Sequence, residues 1–117
     1  MTRSPSGRRR IPYVRRCEVQ ENGGSALSGL ICNLSALGAY VALEPIPPSG
    51  ATVMLSFRLP RNVRPVRVES QVTWENPHQD NPIHGLPPGC GLRFLSLSPE
   101  DRRRIDGLID DYIPLIR

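Results

Sequence analysis

Lysine is absent from this sequence; all 15 basic residues are arginine. Aromatic side chains make up only 5% of the chain, which leaves few platforms for stacking successive bases. No recognition-helix pattern is present either, so specific nucleic-acid binding is not expected. No apolar run approaches the roughly 20 residues that a membrane-spanning helix requires. The basic start, Met1 to Arg10, is not followed by an apolar stretch and does not read as a secretory signal. Cys17, Cys32 and Cys90 form no C-x-x-C pair and no zinc-ligand spacing. An odd number of thiols without an export signal is expected in a reducing cytoplasm. No serine, cysteine or carboxylate pair is placed as a nucleophile with its base, so no enzyme is expected. His78, Asp80 and His84 share a proline-rich loop, but their spacing matches no metal site.

What is present suits one small domain. The chain has 117 residues, of which 38% are hydrophobic, enough for a single modest core. Its 13 prolines and 10 glycines favour short elements joined by turns. The net charge of +4 points to an anionic partner without naming it. Arginine, with its planar fork of donors, suits phosphate and guanine.

The hydrophobic pattern divides the chain into an arm, six strands and a helix. Residues 1–10 (MTRSPSGRRR) read as a flexible arginine-rich arm, and residues 11–117 as the domain. The first strand begins near Tyr13. Val14, Arg16 and Glu18 share one face, but Tyr13, Cys17 and Val19 do not alternate strictly with them, which suggests a bulge or a two-sided contact. Glu21-Asn22-Gly23-Gly24 is a hairpin turn. Further strands are predicted over about 26–33, 38–43, 52–59, 66–74 and 90–95. In the fifth, Val66, Val68, Ser70, Val72 and Trp74 fall on one face. Ser98 followed by Pro99, Glu100 and Asp101 starts a helix over about 98–113. Ile105, Leu108, Ile109 and Tyr112 give it one apolar stripe, to be laid on the barrel or over one end. Asp106, Asp110 and Asp111 with Arg102, Arg103 and Arg104 form its wet face. Short strands at this spacing indicate an all-β barrel or sandwich.

Between the second and third strands stands Asn33-Leu34-Ser35-Ala36-Leu37-Gly38. Taken alone, these six residues also suit an ordinary turn with a local Asn side-chain bond. Their place in the order of elements, however, resembles the D/N-x-S-x-x-G signature of the PilZ domain family. Val72-Thr73-Trp74, Gly91-Leu92-Arg93-Phe94 and Leu97-Ser98-Pro99-Glu100-Asp101-Arg102 are similar to that family's fifth-strand ending, last strand and helix start. The resemblance covers roughly residues 8–112. It implies a mainly all-β fold, a six-stranded antiparallel β-barrel with a C-terminal helix. It also implies a receptor for the dianion cyclic di-GMP, which signals to an effector protein when the nucleotide orders the arm.

The ligand-binding residues implied are Arg8, Arg9, Arg10 and Arg15 from the arm and first strand, Asn33, Ser35 and Gly38 from the signature, and Trp74. No catalytic residue, metal or cofactor is implied. The sequence departs from the family in one respect. The R-x-x-x-R pair expected before the first strand is absent, since the position four residues after Arg9 holds Tyr13. Tyr13 could stack on a guanine in its place, or Arg10 and Arg15 could act as a pair. The departure also supports an alternative, a degenerate PilZ-like adaptor that binds proteins and no nucleotide.

Overall fold

The computed structural model describes residues 9–61, 64–78 and 85–112. Arg8, Asp80 and His84 lie outside the described residues. Six strands run in chain order: β1 (Ile11–Glu21), β2 (Ala26–Leu34), β3 (Gly38–Ala42), β4 (Thr52–Phe57), β5 (Val66–Asn76) and β6 (Gly89–Phe94). They close into an antiparallel barrel in the order β1-β2-β3-β6-β5-β4, with β4 returning to pair with β1. Closure removes the free edges that an open sheet would expose. One helix, α1 (Pro99–Tyr112), follows.

Alternation supplies the core. Val53, Leu55 and Phe57 of β4 and Val66, Val68 and Val72 of β5 turn inward and are buried, because successive strand residues point to opposite faces. Ile31, Leu34, Val41, Cys90 and Leu92 complete the interior. Each fully buried aliphatic side chain contributes about 1.5–3 kcal/mol. Ile105 and Ile109 of α1 join the same cluster, with Leu108 and Tyr112 packed against it. Ser98 caps α1 as expected: its hydroxyl accepts the Asp101 N–H at 3.1 Å. The wet face carries the Arg102–Asp106 pair, whereas Arg104, expected there, is largely buried and pairs with the equally covered Asp101.

Three irregularities decide which side chains reach the outer surface. The first lies in β1, between Pro12 and Arg15. It is an irregularity of pairing with β2 that contains Tyr13 and Val14; Ile11 before it and Cys17 and Val19 after it all turn inward, while Val14, Arg16 and Glu18 are exposed. The second lies in β2 between Ile31 and Asn33, against β3. Ile31 and Leu34 both point inward and are buried, so the extra residue re-aims Asn33 outward. The third lies in β5 between Val72 and Trp74. It corrects the expectation that Trp74 shares a face with Val66, Val68, Ser70 and Val72. Those four are buried, whereas Trp74 is 37% exposed on the outside of the barrel.

Candidate nucleotide site

The second and third irregularities build one row of residues across the outer face of four strands. Asn33 of β2 pairs with Tyr40 of β3, Tyr40 with Gly91 of β6, and Gly91 with Trp74 of β5. Gly91 is the reason the row closes into a surface. A Cβ there would stand 2.1 Å from Nε1 of Trp74, so only glycine lets the indole lie flat across β6. The indole thereby reaches Tyr40, with ring centroids 5.4 Å apart and planes tilted by 36°. Tyr40 is itself locked. Its hydroxyl donates to the Pro87 carbonyl at 2.6 Å and accepts from Asn76 Nδ2 at 3.0 Å. Thr73, the extra residue of the β5 irregularity, donates to the Gly91 carbonyl at 3.2 Å.

A cleft of about 320 Å³ lies along this row, and Arg10, Asn33, Tyr40, Thr73, Trp74 and Gly91 are among the residues that line it. Arg10 comes to it from the segment before β1, and its Nη1 donates to Asn33 Oδ1 at 2.5 Å. Partial burial pulls the Arg10 guanidinium below its ordinary pKa, yet an arginine stays protonated at neutral pH. With Oδ1 turned to Arg10, the Nδ2 donors of Asn33 remain for an acceptor such as guanine O6 or N7. The lining therefore offers one cation, one amide donor pair and an aromatic face, which together suit a planar, anionic, acceptor-rich ligand.

The structure divides the remaining residues of the sequence prediction. Ser35 is 1% exposed and works inside its own turn. Its Oγ accepts the N–H groups of Leu37 at 3.1 Å and Gly38 at 3.2 Å. Gly38 gives close approach, but to β6 and not to a ligand. A Cβ there would meet the Leu92 carbonyl oxygen at 2.0 Å, and Gly38 is not among the positive-φ glycines, which among the described residues are Gly23, Gly50 and Gly85. Arg9 is drawn to α1, where Nη2 pairs with Asp110 Oδ1 at 2.7 Å. Arg15 is not brought together with Arg10, because it lines a separate cleft with Arg16, Glu18, Ser28, Ser56 and Arg58.

Tyr13, at the second-arginine position, is committed elsewhere. Its hydroxyl donates to the Arg58 carbonyl at 3.0 Å, and its ring packs against the core. It does not line the cleft beside Asn33. Sequence reasoning missed Tyr40, Thr73 and Gly91. Gly91 carried a signal, an isolated glycine inside a strand pattern, whereas Tyr40 reads as core in a one-dimensional pattern.

A family model for the PilZ domain matches residues 6–111. Solved structures agree on the fold. The inhibitor of motility MotI/DgrA of Bacillus subtilis superposes with a TM-score of 0.78 at 19% identity, over all of this chain and 54% of that one. This chain thus spans about half the length of that protein. The PilZ domain with c-di-GMP of YcgR from Escherichia coli gives 0.69 at 19% identity, over 94% and 95% of the two chains. The PilZ domain of CeSA from a cellulose-synthesizing bacterium gives 0.60 at 15% identity, over 88% and 96%. No curated protein matches the sequence.

Proposed function

The chain belongs to the PilZ domain family, and from that premise we propose that it is a regulatory domain that binds cyclic di-GMP on the outer row Asn33–Tyr40–Gly91–Trp74 and signals to a protein partner. The observation that carries this reading is the seating of Arg10 on Asn33 at the mouth of a cleft whose wall is Trp74. Arg10 meets a phosphate or the guanine O6/N7 edge. Asn33 donates to a guanine acceptor, and Trp74 packs against the base or the sugar–phosphate ring. About 320 Å³ is near the lower end of ligand pockets, so part of a two-guanine ligand stays at the surface, within reach of the arm. Arg9 exchanges Asp110 for a phosphate, an exposed ion pair costing little to break. The arm is thereby drawn from the helix to the nucleotide, which is the signalling step.

Trp74 is the only tryptophan, so its fluorescence reports on the cleft directly. Titration with cyclic di-GMP should give a saturable change in Trp74 emission and a matching heat. A flat titration to about 100 μM, equivalent to binding weaker than about 5.5 kcal/mol, would reject the reading. Arg8 and Ser35 differ within it: Arg8 is a further arm cation for the ligand, and Ser35 acts through the turn that holds Asn33.

A second reading, a nucleotide-independent adaptor, is favoured by Tyr13. Where a second arginine would supply a charge-assisted contact, this chain has a ring held by the Arg58 carbonyl. The same titration separates the two, since an adaptor leaves Trp74 emission unchanged while a partner is bound equally with and without nucleotide.

A further inference from the structure

The cleft that holds Arg15 lies on the outer face of β1, β2 and β4 and is the larger of the two, at about 450 Å³. Cross-strand register places its residues in rows. Leu30 of β2 stands beside Arg16 of β1 in one row, and Ser28, Glu18 and Ser56 form the next. The bulge in β1 leaves Val14 71% exposed, and Leu30 is 38% exposed. Leu30 thus sits in water beside Arg16, Val14 lies in the bulge just before it, and Arg15, whose register partner is the inward Ile31, reaches the same cleft that Arg16 lines. Exposed apolar side chains bordering a basic cleft mark recognition surfaces. The bond from Tyr13 to the Arg58 carbonyl ties the bulged end of β1 to the end of β4 and holds this face in shape.

Two features narrow the occupant. The barrel is closed, so a partner cannot add a strand to an edge and must be read through side chains. Glu18 stands in the floor of the cleft between Ser28 and Ser56. A carboxylate there repels a polyphosphate backbone, and no aromatic residue other than Phe57 lines the site to stack a base. A peptide differs from a polyphosphate because it can space its charges. Its carboxylates can meet Arg15 and Arg16 while its apolar side chains cover Leu30 and Val14, clear of Glu18.

We propose that this face docks an acidic protein segment carrying apolar side chains, and that it is the surface through which the domain reaches its partner. The proposal rests on the reading that the domain acts on a protein, but not on nucleotide binding. The probe is a short capped peptide of aspartate, glutamate and leucine, titrated into the full chain by amide NMR beside a counterpart with lysine for every acid. Saturable shifts confined to Val14–Glu18, Ser28–Leu30 and residues 56–58, weakened by salt and absent with the lysine peptide, support it. An Arg15→Ser/Arg16→Ser double variant should lose tenfold or more in affinity, and Leu30→Ser should lose affinity that salt does not restore. All three positions are exposed, and an unchanged Trp74 signal verifies folding. The proposal is overturned by absence of saturation at about 1 mM, by shifts scattered elsewhere, by equal binding of the double variant, or by tighter binding of a single-stranded oligonucleotide. Cyclic di-GMP is read at Asn33, Gly91 and Trp74, a separate set of signals, so failure at one face is distinguished from failure at the other.

Discussion

The β2–β3 turn, which carries the D/N-x-S-x-x-G pattern, and the arginine segment leading into β1, which lacks the R-x-x-x-R spacing, are built in opposite ways. In the turn, Ser35 spends its hydroxyl on the backbone of Leu37 and Gly38, and Gly38 presses against the Leu92 carbonyl. Both positions are satisfied within the fold. In the leading segment, Arg9 and Arg10 are held by single exposed or half-buried side-chain contacts to Asp110 and Asn33. A ligand can exchange such contacts at small cost. The turn is held by its own contacts, and under the proposed function the arm is the part that responds; of the six-residue signature only Asn33 lines the cleft.

Substitutions can break that contrast. The largest effect is expected from Gly38→Ala. Its new methyl meets backbone and not a flexible side chain, so β3 and β6 must separate, at a cost of about 3 kcal/mol, read from the urea midpoint. Ser35→Ala leaves two backbone N–H groups in a buried turn without their acceptor and should destabilise by about 2 kcal/mol, measured the same way. If either variant instead kept full stability and lost only nucleotide affinity, the turn would be a ligand site and not a frame.

Arg10→Ala should show the reverse. Thermal stability should change little, while cyclic di-GMP affinity falls about tenfold or more, the loss of one charge-assisted contact, read from Trp74 fluorescence. Tyr13→Phe removes one hydroxyl from the Arg58 carbonyl and should cost about 1 kcal/mol of stability with no change in nucleotide affinity; an affinity loss would place Tyr13 at the ligand. Arg9→Ala is the mildest, under about 0.5 kcal/mol for an exposed pair, with the effect vanishing at high salt.

The strand boundaries were legible because they rest on local rules. Pro60, Gly23-Gly24 and the prolines at residues 45–48 punctuate the chain, and alternation in β4 requires no knowledge of its neighbours. The helix was equally legible, since Ser98, Pro99 and the Ile105/Ile109 spacing all act within a few residues of one another. The site was legible only in part. Asn33 was singled out and lines the cleft, whereas Ser35 and Gly38, also expected at the ligand, are engaged by the turn and by β6. Tyr40, Thr73 and Gly91 were not singled out, because each acquires its place from a strand distant in sequence.

By itself, then, the order of apolar, turn and capping residues determined an all-β domain of six short strands followed by a helix, and the Asn33–Gly38 pattern in its place within that order carried the resemblance to the family and its barrel. Tertiary structure alone decided which side chains look outward from the barrel. A one-residue irregularity in pairing reverses the face of every residue beyond it, and whether a strand carries such an irregularity depends on its partner's register. That is why Trp74 crosses to the outside and why Asn33 meets Arg10.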